Sequence, residues 1–202
     1  MKNTLLIKRV KTEEREETKK LNLFCSCVYR DKQILTGNGE LIVIPDILFG
    51  AYYKQEIWGT IGITHKKKGE FLSVEKIFGL EFPGQTSEIC RLATNTNLNL
   101  LRRIFALSSL ILPIISYGQK ERERQFVASV KPFVFSILKK TLGEDTFRKI
   151  DYDKINEEYV PEEQKVFYLK PPKPIIFSTN YKLAKKGGEK LRRDLNLLIK
   201  FI

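Results

Sequence analysis

Residues 87–94 read SEICRLAT, a carboxylate and a guanidinium three positions apart among small and apolar side chains. The octet has the composition of an interior strand, yet buried charges are costly unless they are paired or put to use. On a regular strand, residues three apart point to opposite faces. Glu88 and Arg91 can therefore share one site only if the strand bulges or twists between them. The plainer reading of the two is a structural ion pair with neighbouring strands.

Upstream, LFGAYYKQ (48–55) and EIWGTIGITHK (56–66) form an expected hairpin, rich in aromatic and β-branched residues. A linker carrying Gly69, Gly79 and Pro83–Gly84 leads from it to the octet. Downstream, NTNLN supplies Asn and Thr capping candidates for a long apolar helix over about 98–117. RQFVASV (124–130) reads as a strand. PFVFSILKKTLG (132–143) reads as a helix with Pro at its first turn and Gly143 at its end.

At the N-terminus, LLIKRV (5–10) alternates weakly as a strand. Residues 12–30 begin with a capping-box-like TEERE and read as a helix, and Gly37-Asn38-Gly39 breaks the chain after it. KVFYLK (165–170) reads as the last strand, closed by PPKP. The tail, 182–202, holds seven Lys/Arg against two Asp/Glu, with Leu191, Leu195, Leu198 and Phe201 at helical spacing. The order predicts a mixed α/β (α+β) domain, one sheet with helices on both sides. Residues 1–180 form a single domain in this reading, with 181–202 a basic C-terminal helix packed on it.

The 202 residues are 42% hydrophobic and carry a formal charge of +12, so the chain is globular and attracted to something acidic. Nucleic acid, an anionic membrane surface and an acidic carrier protein all qualify. Against nucleic acid, the basic residues are scattered, acidic runs interrupt them and no binding motif is present. Cys25, Cys27 and Cys90 form no framework, and with His65 the single histidine no zinc or other metal site is expected. An odd cysteine count and an N-terminus that runs straight into charge suit the cytoplasm. The apolar run IFALSSLILPIIS (104–116) is 13 residues long, short of the ~20 that a span needs, so it reads as a buried helix.

The strand EIWGTIGI, the element LSVEKIF (72–78), the octet with its Glu-x-x-Arg-Leu pattern, and FVASVKPFVFSILKKTLG (126–143) occur in an order that resembles GNAT-superfamily acyltransferases. Within that superfamily they resemble the branch of acyl-homoserine-lactone synthases and N-acyl amino acid synthases. The resemblance runs from about Val28 to Leu142 and implies a GNAT-like, mainly antiparallel sheet. The sequence departs from the branch in having Cys25 near the place of an N-terminal Arg before Val28-Tyr29. Its acidic positions are reduced to Asp46 and Glu40. NTNLNLLRR lacks the Gly-x-Gly pyrophosphate loop of ordinary acetyl-coenzyme-A users, as acyl-homoserine-lactone synthases also do.

The resemblance implies N-acyl transfer from a thioester to an amino-acid-like amine. Such chemistry needs a base for the ammonium, a donor for the carbonyl and a thiolate that can leave. Glu88 is the expected base, and Arg91 the partner of the acceptor's carboxylate. The backbone at Leu92, Ala93 and Thr94 faces the thioester carbonyl, and Arg102 and Arg103 meet the phosphate of the donor arm. Asp46, Trp58, Phe78 and Phe133 are the expected substrate and acyl-pocket residues. No cofactor is bound permanently; acyl carrier protein or coenzyme A brings the acyl group as co-substrate. Two other functions compete: a basic nucleic-acid-binding protein, and a degenerate acyltransferase fold acting as a ligand-binding or membrane-peripheral protein.

Overall fold

A computed structural model of the chain describes residues 5–11, 13–36, 41, 45–120, 125–194 and 199–201. Among the described residues, eight strands form one sheet: β1 (Leu5–Lys11), β2 (Ile47–Tyr53), β3 (Glu56–His65), β4 (Thr86–Thr94), β5 (Gln125–Val130), β6 (Arg148–Ile150), β7 (Ile175–Asn180) and β8 (Ile199–Phe201). Their order is β6-β7-β5-β4-β3-β2-β1-β8. All neighbours are antiparallel except β4 with β5 and β1 with β8. The expected mixed, mainly antiparallel sheet with helices on both sides is the sheet observed.

Period-two alternation sorts the side chains onto two faces. On one face, Ile7, Phe49, Ile61 and Phe126 pack under Ala106, Leu110, Ile114 and Tyr117 of α3 (Leu100–Lys120). By length and composition α3 could cross a membrane, but these residues bury it as the core helix. The same face carries α4 (Pro132–Leu142) and α6 (Tyr181–Asp194), both packed with α3 over Ala128 and Phe177. On the opposite face, α1 (Arg15–Asp31) covers Val10, Leu48 and Ala93. There α2 (Ser73–Phe78) and α5 (Lys165–Leu169) cover Val127 and Ile176.

Three expectations change. KVFYLK is helical as α5, and the strand lies beyond PPKP, in the β-branched run IIFST that pairs with β5 as β7. A run of four apolar residues fits either state locally, and β7 takes the place in the sheet. Strand β6 was not expected. The basic tail is helical only to Asp194, after which Ile199–Phe201 pairs in parallel with Leu5–Ile7. Glu40, the Gly37-Asn38-Gly39 break, Leu195 and Leu198 lie outside the described residues.

Candidate active site at the split between two parallel strands

Strands β4 and β5 pair only from Thr86 to Glu88 against Gln125 to Val127. Beyond Glu88 they separate, and a wedge opens between them towards Thr94 and Val130. The cause is visible in the β3–β4 ladder, where Gly62 pairs with Cys90 but Thr60 pairs with Ala93. Two residues, Arg91 and Leu92, thus oppose Ile61 alone. That is a β-bulge, and Arg91 sits in it with φ of 54°.

The bulge settles the geometric question that the octet raises. Ile89 and Leu92 pack with the α3 face, whereas Ala93 packs with α1. Arg91 belongs with the α1 side, since the thiols of Cys25 and Cys90 and the hydroxyl of Tyr29 all feel its charge. Glu88 lies on that same side, where its Oε2 accepts a hydrogen bond from Val74 N at 3.3 Å. The two charges share one face because the extra residue resets the alternation.

Glu88 is 6% exposed. Burial pushes its carboxyl up, the backbone N–H groups of Val74 and Ser73 pull it back, Glu75 raises it and Arg91 lowers it, with a net value of about 7. A group so placed can accept a proton near neutrality. Its surroundings are held by Glu75, which is 2% exposed. Glu75 accepts from Leu72 N at 2.8 Å and Phe82 N at 2.6 Å, and pairs with Lys66 Nζ at 2.6 Å. That network fixes the start of α2 against Glu88.

A cavity of about 830 Å³ occupies the wedge. On the α1 side it is lined by Tyr29, Glu88, Cys90, Arg91 and Tyr168; on the other it runs along Ile104, Leu107, Ile111, Val134 and Leu138. It therefore passes through the sheet, joining a polar pocket to an apolar channel. Lys32, Arg103, Lys131 and Lys170 line it as well, while Glu88 is its single acid among the described residues. Lys131 Nζ donates to Phe167 O at 2.6 Å and Pro172 O at 2.7 Å, tying the segment after α5 to the start of α4.

Of the residues expected from sequence, Glu88, Arg91, Leu92, Ala93, Thr94, Arg103 and Phe133 line the cavity. Asn95 N bonds Trp58 O at 2.9 Å; Thr94, one residue out of phase, turns its N–H to the wedge. Arg102 stands outside, over the Trp58 ring. Asp46 accepts from His65 N at 2.8 Å and secures the β2–β3 hairpin away from the cavity. Trp58 is buried against Tyr53, and Phe78 against Tyr152 and Tyr168. None of these four contributes to the cavity wall. Sequence reasoning gave no role to Tyr168, because α5 was read as a strand, nor to Tyr29, whose hydroxyl donates to Leu92 O at 3.2 Å. Burial holds the thiol of Cys90 up at about 12, so it stays protonated near neutral pH.

No family model and no curated protein matches the sequence. Among solved structures, the fold is similar to that of an acetyltransferase of the GNAT family from Staphylococcus aureus, at 12% identity over 87% of this chain and 99% of that one, with a TM-score of 0.53. The chain has the GNAT fold. It is also similar to FeeM, an N-acyl amino acid synthase from uncultured soil microbes, at 14% identity over 95% of this chain and 98% of that chain, TM-score 0.57. The acyl-homoserine-lactone synthase LasI is similar at 14% identity over 92% and 96% of the two chains, TM-score 0.63.

Proposed function

We propose that this protein is an N-acyltransferase that moves a fatty acyl chain from a phosphopantetheine thioester to an amino-acid-like amine. The observation that carries this reading is the cavity through the sheet at the bulge, with a carboxyl of near-neutral pKa on its polar side and an apolar channel on the other. The likeness in fold to FeeM and LasI supports the same class of reaction.

In this reading the acceptor enters on the α1 side, and Arg91 pairs with its carboxylate. Glu88 takes a proton from its ammonium, and the free amine attacks the thioester carbonyl. A C–N bond forms and the C–S bond breaks. The attacking nitrogen loses its second proton to solvent as the amide forms, and the proton held by Glu88 goes to the departing thiolate. The N–H of Thr94 receives the donor arm in the wedge, and Arg103 meets its phosphate. The acyl chain passes to the apolar channel.

The basic residues at the cavity and the net charge of +12 favour acyl carrier protein, an acidic partner, over coenzyme A as donor. A soluble, cytoplasmic setting follows from such a donor. The test is incubation with acyl carrier protein and with coenzyme A, each loaded with chains of several lengths, together with a panel of amino acids. Thiol release that depends on the amino acid, with an N-acyl product by mass, is expected. No thioester consumption with any donor would overturn the reading.

A further inference from the structure

Leu142, Thr146, Phe147, Phe177 and Ala184 also line the apolar side of the cavity. Leu142, Thr146, Phe177 and Ala184 are each 5% exposed or less, and Phe147 is half-buried. Ala184 comes from the first turn of α6, the element that packs across α3 and α4. We propose that this turn is the stop that sets the longest acyl chain the enzyme accepts, with Ala184 as the gauge residue.

Three features place the stop. Asn180 Oδ1 accepts from Leu183 N at 2.9 Å and fixes where the helix begins. Two glycines then let it sit close. A Cβ at Gly187 would meet Leu142 O at 2.7 Å, and one at Gly188 would meet Ile115 Cδ1 at 2.6 Å. Leu142 and Ile115 both line the cavity, so the glycine pair in AKKGGEK sets how far α6 intrudes on the channel. Helical register completes the selection: Ala184 is buried at 4% exposure while Leu183 beside it is 37% exposed. In this proposal the channel ends on the methyl group of Ala184.

Its length gives the chain class. The channel runs beside α4, whose 11 residues span about 16 Å at 1.5 Å per residue. An extended chain advances about 1.2 Å per bond, a third of the rise of one extended residue. An acyl group of roughly a dozen carbons would fill that length.

The inference rests on the acyl-transfer reading, and its test separates the two. Wild type, Ala184→Phe and Phe147→Leu are assayed with thioesters from butyryl to palmitoyl, and the matching free fatty acids are screened for thermal stabilisation. In Ala184→Phe the longest chains are lost, by about fourfold in kcat/KM for each methylene displaced, and the loss shrinks as the chain shortens. Phe147→Leu, which widens the end wall, moves the optimum to longer chains. The thermal shifts follow the same order. Should Ala184→Phe fail to fold, Ala184→Val carries the same test. Folded variants with the wild-type length profile would overturn the gauge and leave acyl transfer standing. A wild type that consumes no thioester and is stabilised by no fatty acid would overturn both.

Discussion

Arg91 lies on the same face of the sheet as Glu88, three residues earlier in the same strand, because a bulge opposite Ile61 places Arg91 at φ 54°. The same extra residue ends the β4–β5 pairing and opens the wedge. One local distortion thus makes the cleft and assembles the charges beside it.

If Arg91 is present for its guanidinium, its backbone conformation is a cost borne for function. Arg91→Gly should be more stable than Arg91→Ala by about 1 kcal/mol, because glycine adopts positive φ without strain. Denaturant unfolding of the two variants measures this. Both should raise the KM for the acceptor far more than that for the donor.

Glu88 couples activity to stability through one titration. Its folded value of about 7 lies above the ordinary 4.5. Below pH 4.5 the carboxyl is protonated in both states and folding bears no penalty. As pH rises through the folded value, the native state must carry the buried charge. Wild-type stability should therefore fall between roughly pH 4.5 and 7, by about 3 kcal/mol at most. Glu88→Gln should abolish that fall and be the more stable protein at pH 8. Urea melts at pH 5 and pH 8 decide the matter.

Glu75 is a structural counterpart, not a second base, since two backbone amides and Lys66 occupy it. Glu75→Ala should destabilise the fold by about 3–5 kcal/mol, leaving Lys66 and the two amides without their acceptor. Thermal unfolding measures it, and Lys66→Met with Glu75→Leu should recover part of the loss.

A Cβ at Gly59 would meet Ala93 O at 2.9 Å and Leu110 Cδ1 at 2.9 Å. Gly59→Ala should cost about 1–3 kcal/mol by forcing β3 from β4 just beyond the bulge. It should also lower thioester turnover, although residue 59 does not line the cavity.

Much of this architecture is legible in the sequence, and what is not has physical causes. The strands at 47–65, 86–94 and 125–130 and the helices α3 and α4 follow from alternation, capping and Pro132, whereas α2 lies in a stretch whose glycines read as a linker. The bulge at Arg91 does not, because no glycine marks it and the conformation is imposed by β3. Tyr168 was missed because KVFYLK is too short for periodicity to separate helix from strand. Asp46, Trp58 and Phe78 have residue types suited to a pocket, yet type alone does not say which face a side chain takes. The channel left a signal that went unused. α3 is apolar on nearly all sides, and a helix that covers a sheet with one face needs an apolar partner for the other.

The central claim is that Glu88 is the base of an acyl transfer at the bulge. Its most direct test is the pH dependence of acyl-thioester consumption by wild type and Glu88→Gln, with saturating donor and acceptor. The account predicts a wild-type rate that rises through a value near 7, and a variant slower by about 10²- to 10⁴-fold without that rise. A folded Glu88→Gln protein with the wild-type rate and profile would contradict it.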